Sequence, residues 1–223
     1  MTVVLVGGLG TTTRVWEQQL DALDDPLPLD LPGHGKAPLP PGRVSIESIA
    51  RGVLEQAPRR FAFVGLSIGG MVGQWLGANA PERVEKLVLA CTGAKLGERD
   101  VYYERAELVR REGTGAVVDG ARERWFTPAF RHDARALAIL DDLRGVSGEG
   151  YAACAEAVGD FDFRDEVDRI DVPTLVLYGR EDPMTPPAAR VPLAHFDVAE
   201  VGGAHLANVE APDEFNDRVR SFL

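Results

Sequence analysis

The sequence Gly65-Leu66-Ser67-Ile68-Gly69 constrains the fold of this chain more than any other stretch. It follows a short apolar run over 61–64 and precedes a helix-like stretch over 70–79. A strand, then Gly-x-Ser-x-Gly, then a helix is the arrangement typical of a nucleophile elbow. Glycines flank the serine because a Cβ in so tight a turn would clash. The pattern therefore predicts a serine hydroxyl at the C-terminal edge of a sheet, where a helix N-terminus favours developing negative charge.

Apolar runs alternate with helix-like stretches through much of the chain, which favours an α/β fold with a parallel sheet buried on both faces. The stretches that predict strands lie at 3–6, 27–30, 61–64, 86–91 and 172–178, and at 196–201, where alternation predicts a last strand near an edge of the sheet. Prolines make the second of these the weakest strand prediction.

The pattern changes over residues 93–169, where charged helical stretches dominate and no run predicts a strand. We expect a core formed by residues 1–92 and 170–223, with 93–169 inserted as a helical lid. Insertions at the C-terminal ends of parallel strands meet the substrate, so a lid over the active-site edge is the natural interpretation. A helical cap that only covers apolar surface is the alternative.

Composition and charge exclude several classes of function. The net charge of −11 argues against nucleic acid and anionic membrane surfaces, because the field around the protein repels both. Cys91 and Cys154 are too few for a disulfide framework, and we expect reduced, buried thiols. No stretch has the apolar length of a membrane span, and the first residues lack the features of a signal peptide. A cytoplasmic enzyme or binding protein is the expectation.

Two further polar residues follow predicted strands and complete a possible catalytic triad with Ser67. Asp182 and His205 come just past the strands at 172–178 and 196–201. Parallel strands end at one edge of the sheet, so the three groups can converge there. His205 would take the serine proton, and Asp182 would orient the imidazole. The alternatives are Asp182 as a turn residue, the neighbouring Glu181 as the acid, and His205 as a core histidine.

Two backbone N–H groups are candidates for the oxyanion hole. Ile68 directly follows the serine, and Leu9 lies in the glycine-rich loop after the first strand. A plain strand-to-helix turn is the alternative for that loop. His34, between two glycines, is interpreted as structural rather than catalytic. The chain has neither metal-ligand spacing nor a dinucleotide fingerprint, so we expect no metal and no cofactor.

With these residues placed, the chain resembles the α/β-hydrolase superfamily and, within it, the 3-oxoadipate enol-lactonases. The resemblance covers nearly the whole chain. The stretches that carry it are 65–76 (GLSIGGMVGQWL), 80–89 (APERVEKLVL), 123–130 (ERWFTPAF), 149–154 (EGYAAC), 170–177 (IDVPTLVL), 182–187 (DPMTPP) and 205–210 (HLANVE). The segments at 123–130 and 149–154 lie in the predicted lid and are the more specific ones.

The resemblance implies a serine hydrolase that opens a five-membered enol-lactone carrying a carboxymethyl group, through an acyl-enzyme, to 3-oxoadipate. It implies a cation for the substrate carboxylate, for which Arg124, Arg131 and Arg14 are candidates. A surface arginine without contact to substrate is the alternative for each. It also implies Trp125 as a wall of the site. The expected partner is therefore a small lactone or ester, and an oligomer is left open. Alternatives are a carboxylesterase, thioesterase or C–C bond hydrolase with the same triad, and a non-catalytic scaffold that binds a small ligand.

One departure from the family concerns the sheet. Such enzymes usually begin with a β-hairpin before the strand that starts here at Val3, and this chain lacks it. We therefore expect six strands, all parallel, rather than eight.

Overall fold

Six strands form a single sheet in which every neighbouring pair is parallel, as the sequence predicts. The computed structural model describes residues 1–223. The strands are β1 (Val3–Val6), β2 (Pro26–Leu29), β3 (Phe61–Leu66), β4 (Val84–Ala90), β5 (Thr174–Gly179) and β6 (Asp197–Val201). Their order across the sheet is β2-β1-β3-β4-β5-β6.

Ten α-helices connect and cover these strands. They are α1 (Glu17–Leu20), α2 (Ile46–Gln56), α3 (Ile68–Asn79), α4 (Arg99–Glu112), α5 (Val118–Trp125), α6 (Ala134–Gly145), α7 (Gly148–Asp160), α8 (Pro187–Arg190), α9 (Ala207–Glu210) and α10 (Pro212–Phe222). Short 3₁₀ turns lie at Thr13–Trp16, Thr114–Val117, Val167–Arg169 and Val191–Leu193. No helix combines the length and the apolar character that crossing a membrane would require.

The strand order places a crevice between β1 and β3. The chain moves outward from β1 to β2 on one side, and from β3 to β6 on the other. Ligands of such open sheets bind beyond the carboxyl ends of the strands at this reversal point. The prolines of β2 are accommodated because β2 is an edge strand, where a missing N–H leaves no partner unpaired.

Strand side chains alternate between two hydrophobic layers, one on each face of the sheet. In β1, Val3 and Leu5 pack into one layer, and Val4 and Val6 pack into the other. Strands β3 to β5 divide their side chains in the same way. Burial on both faces explains why the strand sequences are continuous apolar runs.

The segment between β4 and β5 contains helices α4 to α7 and no strand. Its apolar side chains are part of the core layers rather than a separate core, since Ala106, Val109 and Leu143 join the layer that contains Leu5. The backbone N–H of Ser147 also donates to Gly33 O at 3.3 Å. The insertion is therefore packed onto the sheet edge.

Candidate active site

Ser67 occupies the strained turn between β3 and α3. Its φ of 57° and ψ of −116° lie in a region that residues with a side chain rarely adopt. Such a conformation costs on the order of 1–3 kcal/mol and persists only where its surroundings enforce it. Here Ser67 N–H donates to Ala90 O at 2.9 Å, and Thr92 Oγ1 donates to Ser67 O at 2.8 Å.

The two glycines of the elbow are required by sterics. A Cβ on Gly65 would lie 2.1 Å from Gly69 O, and a Cβ on Gly69 would lie 2.1 Å from Val6 O. Both obstacles are backbone atoms, which cannot move aside as a flexible side chain can. The glycines thus allow the helix to start directly against β1 and β3.

Asp182 and His205 meet in the interior beside the elbow. His205 Nδ1 lies 3.0 Å from Asp182 Oδ2 and 3.1 Å from Oδ1, and only 3% of His205 is exposed. Because an ionised carboxylate only accepts, Nδ1 carries the proton and Nε2 is left as the basic nitrogen. Glu181, the alternative acid, is exposed to solvent and makes no contact of this kind.

Hydrogen bonds keep the Asp182 carboxylate ionised despite its burial. Burial acts to raise the pKa of Asp182, but the charge and hydrogen bond of His205 and the donors on Thr185 and Met184 outweigh it. Thr185 Oγ1 donates at 2.7 Å and Met184 N–H at 2.8 Å. The net result is a lowered pKa, so the carboxylate is a permanent acceptor for the imidazole.

Leu9 and Ile68 provide two unused backbone donors near the serine. Neither N–H donates to a protein acceptor, since Ile68 opens α3 and Leu9 lies in the loop after β1. Leu9 and Ser67 belong to the wall of the same cavity. This arrangement has the donors that stabilisation of an oxyanion requires.

The cavity lies between the sheet edge and the helical insertion. Its core side includes Ser67, His205 and Leu9, and its other side belongs to α4, α5 and α7. Trp125, at the end of α5, is one of its walls. The residues that line it are Gly8, Leu9, Thr11, Ser67, Tyr102, Arg105, Ala121, Arg124, Trp125, Tyr151, Val158, Met184, His205 and Leu206.

Hydrogen bonds also connect Trp125 and its neighbour Thr127 to the loop that carries His205. The Leu206 N–H donates to the Trp125 carbonyl at 3.0 Å, and Glu210 accepts from the backbone of both Thr127 and Ala204, at 3.2 and 3.1 Å. The residues on either side of His205 are therefore fastened to the end of α5. This fixes the aromatic wall relative to the imidazole.

Arg105 and Arg124 lie in this cavity without a carboxylate partner. Most other arginines of the chain form ion pairs with Asp or Glu, but these two form none. The Arg105 guanidinium stands 5.2 Å from the centre of the Tyr102 ring. Burial and then the positive charge of Arg105 lower the pKa of Arg124. Two neighbouring cations without an ion-pair partner have the charge and the donors that binding an anion requires.

Two of the arginines suggested by the sequence lie elsewhere. Arg14 is half exposed and pairs with Asp142 at 2.8 Å on the outer surface. Arg131 donates to the carbonyls of Phe126 and Glu123, where it caps the end of α5. Neither lines the cavity, whereas Arg124 and the unpredicted Arg105 do.

A sequence signal for Arg105 exists in α4. The buried residues of this helix are Tyr102, Ala106 and Val109, at helical spacing. Arg105 is three residues after Tyr102 and four before Val109, so it lies on the buried face. An arginine on an apolar face indicates a charged group turned inward.

Comparisons with known proteins agree with this architecture. The family model described as "Alpha/beta hydrolase family" matches residues 3–218. "3-oxoadipate enol-lactonase 2" of Acinetobacter baylyi is 34% identical over 99% of this chain and 88% of the relative. The "Pimeloyl-[acyl-carrier protein] methyl ester esterase" of Vibrio cholerae is 31% identical over 87% of this chain and 81% of the relative. The crystal structure of the enol-lactonase from Burkholderia xenovorans LB400 superposes with a TM-score of 0.94 at 33% identity, covering 99% of this chain and 90% of that one.

Proposed function

The chain belongs to the α/β-hydrolase family and is an ester-hydrolysing enzyme, and from this premise we propose that it opens a carboxymethyl enol-lactone to 3-oxoadipate. Ser67 is the proposed nucleophile, His205 the general base and Asp182 the residue that orients it. Relatives named as enol-lactonases, aligned over nearly the whole chain, support this substrate class.

The unpaired arginines of the cavity carry the proposal. Desolvating two guanidinium groups side by side is unfavourable unless an anion joins them. Arg124 bears this penalty, since burial and then the charge of Arg105 lower its pKa, although the chain has 35 acidic side chains. A substrate carboxylate held there would place its lactone ring toward Ser67 and His205 on the opposite wall.

Acylation follows from the positions of the three groups. Nε2 of His205 takes the proton of Ser67 as Oγ attacks the lactone carbonyl carbon. The tetrahedral oxyanion is stabilised by the N–H groups of Leu9 and Ile68. The bond from the carbonyl carbon to the ring oxygen then breaks, and His205 returns the proton to the enol oxygen. The leaving group stays attached to the acyl chain, and its enol converts to the ketone.

Deacylation uses the same groups with water as the nucleophile. His205 takes a proton from water, the hydroxide adds to the acyl carbon, and the Ser67 oxygen leaves with the proton returned by His205. The sum is one lactone and one water converted to 3-oxoadipate. Asp182 remains ionised throughout and stabilises the imidazolium that forms transiently within each half-reaction.

Loss of the ultraviolet absorbance of the enol-lactone tests the substrate. We expect turnover by the pure folded enzyme and its abolition in Ser67→Ala. No turnover above background would refute the substrate assignment, and full activity of Ser67→Ala would refute the mechanism.

The arginine site is tested with a charged and a neutral substrate. Hydrogen bonds to charged groups contribute about 1.5–3 kcal/mol, so Arg105→Gln and Arg124→Gln should each raise KM for the lactone roughly 10- to 100-fold. Turnover of p-nitrophenyl acetate, which has no carboxylate, should change little. Arg14→Gln is the matched control, because it removes the same charge outside the cavity. An equal rise in KM for all three variants would contradict the site.

The same triad could serve another ester, a thioester or a C–C bond. The relative named as a pimeloyl ester esterase, 31% identical, makes this the second candidate. A panel of p-nitrophenyl acyl esters separates the two, since strong activity there with none on the lactone would favour it. A non-catalytic ligand-binding role predicts instead that a fluorophosphonate probe fails to label Ser67.

A further inference from the structure

His34 is buried between the glycine-rich loop after β1 and the helical insertion, and the proposed mechanism does not use it. None of its surface is exposed, and it does not line the cavity. Its two ring nitrogens have one partner each. Nδ1 lies 2.9 Å from Pro32 O, and the N–H of Gly10 approaches Nε2 at 3.0 Å.

These two partners determine the tautomer of His34. A carbonyl oxygen can only accept, so Nδ1 bears the hydrogen and donates to Pro32 O. A backbone N–H can only donate, so Nε2 is bare and accepts from Gly10. The neutral Nδ1–H form is therefore the only one that makes both bonds. Burial lowers the pKa of His34 to about 4, which keeps this form at neutral pH.

The bond to Gly10 fixes the peptide plane that follows Leu9. The peptide plane between Gly8 and Leu9 is fixed through its carbonyl oxygen. Gly8 O accepts from Thr11 N–H at 3.1 Å and from Thr11 Oγ1 at 2.9 Å. Both peptide planes on either side of Leu9 are thus held in place. The direction of the Leu9 N–H follows from that constraint.

The loop that carries His34 is itself held firmly. The Asp30 carboxylate accepts from Thr13 N–H at 2.7 Å and Lys36 N–H at 3.0 Å. Gly33, with φ of 70°, lies directly against Gly150 of α7. Because the loop that carries His34 is held by its own contacts, it can determine where the glycine-rich loop after β1 lies.

We propose that His34 is a positioning residue for the oxyanion hole, acting through the Gly10 N–H to aim the Leu9 N–H at the reacting carbonyl oxygen. The proposal rests on the proposed serine-hydrolase function. It assigns His34 no contact with substrate and no proton transfer. Its effect should be felt in the transition state, where the oxyanion develops, and not in the binding of the substrate.

Two substitutions separate the two hydrogen bonds of His34. In His34→Asn the amide nitrogen takes the place of Nδ1, so the bond to Pro32 O is kept and the acceptor for Gly10 is lost. In His34→Gln the amide reaches the position of Nε2, so an acceptor for Gly10 is restored. Loss of a whole oxyanion donor lowers kcat about 10²–10³-fold, and misalignment should cost less. We expect kcat roughly 10-fold lower in His34→Asn with KM within twofold, and a substantial recovery of kcat in His34→Gln.

A boronic acid that forms a tetrahedral adduct with Ser67 gives a second readout. Its dissociation constant should rise in His34→Asn by the factor by which kcat falls, because both report the oxyanion site. Equal kcat and equal boronate affinity in wild type, Asn and Gln variants would overturn the proposal. A fall in kcat that Gln does not restore would also count against it.

The tautomer can be read without any substitution, should His34→Asn fail to fold. Long-range ¹H–¹⁵N spectra of the wild-type imidazole at pH 7 should show the Nδ1–H form, and an Nε2–H form would overturn the proposal. Failure of the proposed function has a different signature. If the proposed function is wrong, the wild type neither turns over esters nor reacts with a fluorophosphonate. If only the His34 proposal is wrong, the wild type is still fully active.

Discussion

Replacing Gly150 by alanine tests the close contact between the helical insertion and the loop that carries His34. In an exposed helix, Gly→Ala stabilises a protein by about 0.5–1 kcal/mol because alanine has less backbone freedom to lose. At Gly150 the new Cβ would lie 2.6 Å from Gly33 Cα and 2.8 Å from Gly33 O. Ordinary carbon contacts are about 3.5–4.0 Å, so α7 and the loop must separate by roughly 1 Å.

The expected result is a net loss of stability. Overpacking of this kind costs about 1–3 kcal/mol, which exceeds the gain in helix propensity. We therefore expect Gly150→Ala to lower the free energy of unfolding by about 1–2 kcal/mol. Tyr151 follows directly and lines the cavity, so kcat/KM should fall as well.

Gly52→Ala is the matched control. Gly52 lies within α2, and no atom comes within 4 Å of the position that a Cβ on this residue would occupy. It should stabilise the protein by about 0.5–1 kcal/mol. Urea unfolding followed by circular dichroism measures both variants. If Gly150→Ala proves as stable as Gly52→Ala, the tight packing of α7 on Gly33 is refuted.

Three further predictions concern the site and its surroundings. Asp182→Asn should lower kcat on the order of 10⁴-fold with little change in KM, because the neutral amide no longer stabilises the imidazolium and its NH₂ group can donate to Nδ1, which favours the wrong tautomer. Steady-state kinetics within tenfold of wild type would contradict this. Gly69→Ala should destabilise the fold by about 3 kcal/mol or more, because its Cβ meets the Val6 carbonyl at 2.1 Å, and a wild-type urea midpoint would refute that. The lowered pKa of His34 means that unfolded chains bind a proton between pH 6.5 and about 4 while folded ones do not. Stability should therefore fall by up to about 3 kcal/mol as pH drops through that window, and His34→Gln should lose this component; identical pH–stability curves would argue against it.

The sheet could be predicted because the signal for each buried strand lies within its own short stretch of sequence. A strand buried on both faces requires a continuous apolar run, and the runs at 3–6, 61–64, 86–91 and 172–178 all form strands. Ser67 and Asp182 follow such runs, and His205 follows the alternating edge strand β6. The C-terminal ends of parallel strands lie at one edge of the sheet. The common location of these three residues could therefore be inferred from the sequence, although their catalytic roles stay a prediction.

The sequence predicts less well which arginines line the cavity. Arg124 and Arg131 both flank Trp125 along the chain, but only the first is in the last turn of α5, and Arg131 lies beyond its end. Which helix face turns inward depends on packing between α4 and α7, which lies outside any single sequence window. The bond between His34 and Gly10 is another case, since it joins loops 24 residues apart in the chain.

The sheet edge and the helical insertion contribute different groups to the cavity, and this separation has a consequence for the evolution of the enzyme. The proposed bond-breaking groups belong to the sheet edge, whereas Arg105, Arg124 and Trp125 belong to the insertion. On the proposed roles, we expect that exchanging a few inward-facing side chains of α4 and α5 changes which ester or lactone is accepted, while the groups at the sheet edge stay the same. Deleting the insertion would have the opposite outcome, because Ala106, Val109 and their neighbours complete the hydrophobic layer over the sheet. New specificities in this lineage should therefore arise by substitution within the insertion and seldom by its loss.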